Sequence, residues 1–171
     1  MDPVSYYSKN EIKREISFNS QRREVSVMIG LGRFGKRPDI IQFENDITEL
    51  VKKGATSFHI SEEHWSNPLE LKPGMKKRDL DNLRIGWDFV LDIDSPDLED
   101  SKKITHHLIE AMKFHDVKNM AVKFSGNKGF HIAIPFKTFP SKVNDMEIIN
   151  LFPEGPKIIA VYLTEMITPA L

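Results

Sequence analysis

Two carboxylates separated by a single residue stand at the end of an apolar segment. The segment begins at Trp87, carries Asp92 and Asp94, and stops at Ser95-Pro96. An apolar run that ends in turn residues is typical of a buried β-strand. Side chains two apart on a strand point to the same face, with Cα atoms about 6.6 Å apart. The spacing therefore predicts adjacent carboxylates, which require a cation, a proton or water between them, and we interpret the cation as a divalent metal.

A glycine-rich turn forms the second polar feature. Met120–Phe124 and Phe130–Pro135 are predicted strands, and Ser125-Gly126-Asn127-Lys128-Gly129 joins them. Two glycines and an asparagine favour a tight turn, so we expect an antiparallel hairpin. A helix is predicted over Leu98–Phe114, between this hairpin and the strand of Asp92. The order strand, helix, strand allows the strand of Asp92 and Met120–Phe124 to be neighbours, which would turn the hairpin towards the carboxylates.

The hairpin offers groups that bind phosphate oxygens. Hydroxyl, imidazole and backbone N–H groups donate hydrogen bonds, and lysine adds positive charge. The candidate nucleotide-binding residues are Lys123, Ser125, Gly126, Lys128, Gly129 and His131. Taken alone, the turn is also explained as an ordinary hairpin, and a strand histidine more often satisfies a structural hydrogen bond.

A carboxylate pair facing such a hairpin indicates metal-dependent chemistry on a phosphate ester. Mg²⁺ is commonly held by one or two carboxylates together with substrate phosphates. Asp92 and Asp94 would bridge the cations in phosphoryl or nucleotidyl transfer, and Mg²⁺ or Mn²⁺ is the expected cofactor. The alternative for the pair alone is structural, because Asp and Ser also begin turns and cap helices.

The composition places the chain among ordinary globular proteins. Of its 171 residues, 40% are hydrophobic and 29% are charged, and the length suits a single domain over residues 1–171. The absence of cysteine excludes a disulfide scaffold and thiolate metal sites. No apolar run approaches the roughly 20 residues of a membrane helix, so we expect a cytoplasmic protein without a membrane partner. The net charge of -1 does not discriminate for or against nucleic acid.

A second glycine motif can be interpreted as a dinucleotide-binding fingerprint or as a loop. Residues 30–35 match the dinucleotide-binding fingerprint, but Pro38 follows closely and disfavours the helix that the fingerprint must open. We interpret the motif as a loop. Its basic residues could contact a phosphate backbone or could be solvated. A template strand would need a basic path, for which the candidates are Arg33, Lys36, Arg37, Lys72, Lys76, Lys77 and Arg78.

The paired motifs resemble a known superfamily. Residues 90–94 and 124–132, taken together, are similar to the first two motifs of the archaeo-eukaryotic primase superfamily, and specifically to the small catalytic subunit of archaeal DNA primase. The resemblance implies an α+β fold, with flanking helices around an RNA-recognition-like mixed or antiparallel sheet. It also implies primer synthesis from nucleoside triphosphates on a single-stranded DNA template, and a large primase subunit as a partner.

The resemblance also assigns roles to individual residues. Asp92 and Asp94 correspond to the metal aspartates. Ser125 and His131 correspond to residues that contact the nucleotide phosphates, and Lys128 is a weaker correspondence. These assignments predict a catalytic site shared between the first strand and the hairpin.

The chain departs from the family pattern in two respects, of which one is the lack of any cysteine to build the zinc knuckle found in many archaeal small subunits. The other concerns the metal ligands. Family members carry a third metal carboxylate well downstream of the second motif, and only 40 residues follow His131. The remaining acids lack the strand context of Asp92; they are Asp145, Glu147, Glu154 and Glu165. We therefore expect an incomplete catalytic core, either truncated at the C-terminus or lacking the last ligand. Two alternatives remain open, a non-catalytic nucleic-acid or nucleotide-binding module and a different metal-dependent phosphoesterase.

Overall fold

The chain forms an α+β structure with small antiparallel sheets and flanking helices, which confirms the predicted fold class. The computed structural model describes residues 2–30 and 32–171. The chain divides into two compact units, the first ending at Gly86 and the second beginning at Trp87. That the whole chain acts as one catalytic domain stays a prediction. In the described part of the chain, no helix is both long and apolar enough to cross a membrane.

The elements of the first unit alternate short helices and strands. The helices are α1 (Pro3–Tyr7), α2 (Asn10–Asn19), α3 (Glu44–Lys52) and α4 (Lys77–Leu83), and the strands are β1 (Val25–Ile29), β2 (Arg33–Phe34), β3 (Ala55–Ile60), β4 (Glu63–Trp65) and β5 (Arg84–Trp87). One antiparallel sheet has the order β2-β1-β3, and β4 and β5 form a second. Sequence reasoning missed α4 and β4, which are short and rich in charge.

The glycine motif of the first unit leads into a strand. Met28 pairs with Phe34 and Ile29 pairs with Arg33, so β1 and β2 form a hairpin. Leu31, inside the motif, lies outside the described residues. A strand follows where the fingerprint needs a helix, which argues against dinucleotide binding, and Arg33 and Phe34 belong to this strand instead of the predicted loop.

The basic cluster in and next to this motif consists of Arg33, Lys36 and Arg37, and Arg37 forms an ion pair. The Arg37 guanidinium donates two hydrogen bonds of 2.8 Å to the Glu24 carboxylate. These bonds, and the charge of Glu24, raise the pKa of Arg37. Arg37 is therefore the least available member of the cluster for a phosphate backbone.

The second unit contains the site predicted from the sequence. Its helices are α5 (Leu98–Phe114) and α6 (Glu154–Ile167), and its strands are β6 (Phe89–Ile93), β7 (Ala121–Phe124), β8 (Phe130–Ile134), β9 (Lys142–Val143) and β10 (Met146–Glu147). The predicted helix at Leu98–Phe114 is confirmed at both ends. Its N-terminus is capped by Asp97, whose Oδ1 accepts a hydrogen bond from the Glu99 N–H.

The strand order of the second unit corrects one prediction. The sheet order is β6-β8-β7, with β8 antiparallel to both neighbours. The predicted hairpin of β7 and β8 is confirmed, but the predicted adjacency of β6 and β7 is wrong. Ile132 and Ile134 of β8 are buried, whereas every residue of β7 is exposed. The more apolar strand therefore takes the centre, and β6 and β7 are parallel strands of a split β-α-β arrangement.

Helices cover one face of this sheet. Phe89, Ile93 and Ile132 point to that face and are buried, and they belong to one core cluster with Met112 of α5 and Leu163 of α6. Trp87 extends the cluster, and its indole N–H donates a hydrogen bond to the Ile148 carbonyl. The core fixes the sheet from one side and leaves its other face exposed.

Asp81 gives the first unit a testable pH response. The Asp81 carboxylate accepts hydrogen bonds from Lys77 and from Arg84, whose side chain is buried and also contacts Glu63. The bond from Lys77 contributes most to lowering the pKa of Asp81, and Arg84 lowers it further. A lowered carboxylate pKa stabilises the fold above the unfolded pKa, and this stabilisation is lost as the pH falls through the folded pKa.

We predict that Asp81→Asn lowers the free energy of unfolding at pH 7, by about 1 kcal/mol, because it removes the charge that both cations contact. The difference between wild type and variant should shrink as the pH falls below about 4, where Asp81 of the unfolded wild type is protonated, and should vanish once the pH has fallen through the lowered pKa of folded Asp81. Urea unfolding followed by tryptophan fluorescence at pH 7, 5 and 3 measures both quantities. A difference that stays constant over this range would contradict the assignment.

Candidate active site

The exposed face of the β6-β8-β7 sheet carries a row of three polar side chains. Asp92 pairs with His131, and His131 pairs with Lys123 on the other side. Residues in register across neighbouring strands point to the same face. The Nε2 atom of His131 lies 3.3 Å from Oδ1 of Asp92, and the Asp92 side chain is 72% exposed. This polar row places a carboxylate, an imidazole and an ammonium group in line across the sheet.

A second row lies at the end of the strands, next to the polar row. The β6–β8 register ends at the pair Ile93 and Phe130, so Asp94 stands level with Gly129. The Ser125 N–H donates a 2.9 Å hydrogen bond to the Gly129 carbonyl, which closes the turn of the hairpin. This turn row therefore consists of Asp94, Gly129 and Ser125. Asp92 and Asp94 are both exposed while Ile93 between them is buried, as the predicted alternation requires.

The members of the turn row can approach one another because residue 129 is glycine. A Cβ atom added to Gly129 would overlap the carbonyl oxygen of Ile93. The same atom would lie 3.1 Å from the Ser125 Oγ and 3.4 Å from the Asp94 Oδ1. Both side-chain oxygen atoms therefore lie close to the space that a side chain at position 129 would occupy. The absence of a side chain at Gly129 brings the hydroxyl of one motif close to the carboxylate of the other.

The remaining turn residues differ in their availability. Gly126 has a φ of +102°, a conformation that favours glycine, so its role is in the geometry of the turn. The Lys128 ammonium donates a 2.6 Å hydrogen bond to the Pro96 carbonyl and so ties the turn to the segment after Asp94. Lys123 is exposed, and its ammonium has no hydrogen-bond or ion-pair partner among the described residues. Lys123 is thus the better placed of the two lysines to meet an anion.

The site offers oxygen ligands, which are those that hard divalent cations prefer. No group of three or more His, Asp or Glu side chains that could hold a metal ion occurs among residues 2–30 and 32–171. Two exposed carboxylates fit a Mg²⁺ or Mn²⁺ ion that takes its other ligands from water and phosphate oxygens. They do not form a cage that would hold the ion by protein ligands alone.

Sequence reasoning missed one residue that positions the site. Asp88 interrupts the predicted strand between Trp87 and Phe89, and its Oδ1 accepts a 2.9 Å hydrogen bond from the Phe136 N–H. This bond links the start of β6 to the segment that follows β8. An acid within an apolar run was the available signal, because such a group needs a hydrogen-bond partner.

The comparisons with known proteins concern both fold and sequence. The polymerase domain of Mycobacterium tuberculosis ligase D, solved in complex with DNA, has a similar structure with a TM-score of 0.63 and 14% identity. The match covers 99% of this chain and 62% of that chain. An uncharacterized protein of Methanocaldococcus jannaschii is 39% identical over 79 residues, which are 45% of this chain and 17% of that protein. No family model matches the chain.

The likeness to the polymerase domain establishes the fold. At 14% identity the shared feature with the polymerase domain is the architecture, and the chain spans less than two thirds of either protein. The chain has the fold of that polymerase domain.

Because Gly129 lies so close to β6, we predict that adding one methyl group there strongly lowers the stability of the fold. Gly129→Ala should lower the free energy of unfolding by about 1–3 kcal/mol, because the new Cβ forces the backbone of β6 away from the turn. Denaturant unfolding measures the change. Asn127→Ala is the matched control, because Asn127 is exposed in the same turn. Equal stability of the two variants would contradict the close approach.

Proposed function

We propose that this chain is a catalytic domain of the archaeo-eukaryotic primase superfamily, related to the small subunit of archaeal DNA primase. In this proposal it binds nucleoside triphosphates with Mg²⁺ or Mn²⁺ and transfers nucleotides to primers on a single-stranded DNA template. The observation that carries the proposal is the juxtaposition of the two motifs. Asp92 is in register with His131, and the side chains of Asp94 and Ser125 both approach Gly129.

Three groups of the hairpin would bind the triphosphate. The Ser125 hydroxyl and a ring N–H of His131 donate hydrogen bonds, and Lys123 supplies positive charge. These groups lie on the face that also carries Asp92. The carboxylate of Asp92 stands close enough to orient the imidazole.

Asp92 and Asp94 would hold the metal. When bound, a divalent cation neutralises phosphate charge and lowers the barrier to in-line displacement. The two carboxylates then contribute the protein ligands, and the apolar core beneath β6 and β8 keeps their strands rigid. The fixed register limits how far the aspartates can move from the phosphate-binding groups.

Neutralising either aspartate should weaken metal-dependent nucleotide binding. Asp92→Asn and Asp94→Asn are each expected to lower the affinity for dATP in the presence of Mn²⁺ by about tenfold or more, because each removes a charged oxygen ligand. Isothermal titration calorimetry with and without Mn²⁺ measures the effect, and ATP is titrated in parallel. Asp116→Asn, an exposed carboxylate beyond the far end of α5, is the control. Unchanged affinity in both site variants would refute the metal assignment.

The two lysines of the hairpin should differ. Lys123→Met is expected to weaken Mn²⁺-dATP binding by about threefold to tenfold, because it removes a cation beside His131. Lys128→Met should have the smaller effect on affinity, because its ammonium is bonded to the Pro96 carbonyl. The same titrations measure both variants. A larger loss of affinity in Lys128→Met would assign the phosphate contact to Lys128 instead.

A non-catalytic nucleotide-binding or nucleic-acid-binding module is the second candidate. It is favoured by the lack of a third clustered ligand among the described residues. Primer extension on a single-stranded DNA template, with labelled nucleotides and Mn²⁺, separates the candidates. Metal-dependent incorporation that Asp92→Asn abolishes supports catalysis, whereas binding without incorporation supports the module.

A further inference from the structure

A third row on the same sheet face contains only small or apolar side chains. Ala133 of β8 pairs with Val90 of β6 and with Ala121 of β7. These residues lie two positions along their strands from Asp92, His131 and Lys123, so they point to the same face. We refer to Val90, Ala133 and Ala121 as the small-residue row.

The small-residue row is open to solvent. Val90 is 36% exposed, Ala121 is exposed and Ala133 is partly exposed. The helices cover the opposite face, to which Phe89 and Ile132 point. Two alanines leave the backbone of β7 and β8 nearly bare at this position, so a planar or ring-shaped group can approach the sheet closely.

The order of the three rows fits the order of groups in one ligand. The turn row and the polar row supply hydroxyl, imidazole, ammonium and carboxylate groups, and the small-residue row supplies a smooth apolar surface beside them. Successive rows lie about 6.6 Å apart along the strands. Three strands spaced about 4.8 Å apart give the row a width of roughly 10 Å. This spacing suits an anionic chain across the polar rows and a ring system over the alanines.

We propose that the small-residue row is the platform for the sugar and base of the bound nucleotide. This inference rests on the proposed function and extends it, because it names the surface that recognises the nucleoside. Ala133 is central, since it lies between Val90 and Ala121 and next to His131. A branched side chain at Ala133 would fill the space above the sheet and lift the nucleoside while leaving the phosphate groups in place.

The experiment distinguishes the contribution of the nucleoside to binding from that of the triphosphate. Wild type and variants are titrated with dATP and with inorganic tripolyphosphate, each in the presence of Mn²⁺. The variant is Ala133→Ile, a strong strand former that an exposed sheet position accepts. Ala133→Ser preserves the size of the side chain. Val122→Ile is the matched control for added bulk, because Val122 is 47% exposed on the opposite face of the same sheet.

The expected result is a selective loss. Ala133→Ile should bind dATP at least fivefold more weakly than wild type and tripolyphosphate equally well, while Ala133→Ser and Val122→Ile keep both affinities. Unchanged dATP binding by Ala133→Ile overturns the platform and leaves the proposed function standing. Equal losses for both ligands also overturn the platform, since the effect then lies in the polar rows. A wild type that binds neither ligand overturns both the platform and the proposed function.

Discussion

The register between β6 and β8 is the constraint on which the candidate site depends. It sets Asp92 beside His131 and brings Asp94 level with Gly129. A shift of one residue would turn every one of these side chains to the other face. The buried residues Phe89, Ile93 and Ile132 oppose such a shift, because it would expose them and bury the carboxylates. The apolar core therefore determines the geometry of the polar face.

The exposed face has a graded composition along the strands. The turn row and the polar row carry charged and hydrogen-bonding side chains, and the small-residue row beyond them carries small and apolar ones. The carboxylates of Asp92 and Asp94 lie on the same face as the ammonium of Lys123 and the hydrogen-bond donors of the hairpin. In the proposed function, a ligand with both phosphates and a ring system would match this gradient better than an inorganic anion, because it would contact all three rows.

The strand of Asp92 and Asp94 and the hairpin approach each other most closely at a glycine. At Gly129 the hairpin approaches β6 so closely that a methyl group would overlap the Ile93 carbonyl. Lys128 reinforces the approach through the Pro96 carbonyl. The glycine pattern thus has two physical roles, since Gly126 permits the left-handed turn and Gly129 permits the contact. Only the first of these roles is readable from turn propensities.

Local patterns in the sequence determined much of this protein. The alternation around Ile93 predicts which side chains share a face, the turn residues predict the hairpin, and the capped apolar stripe predicts α5, because each depends on neighbours close along the chain. The tertiary structure alone decided that β8 lies between β6 and β7 and that Asp92 therefore pairs with His131. It also decided that the Lys128 ammonium donates a hydrogen bond to the Pro96 carbonyl. These features depend on which strand buries more apolar surface against α5 and α6, and that competition involves residues far apart in the sequence.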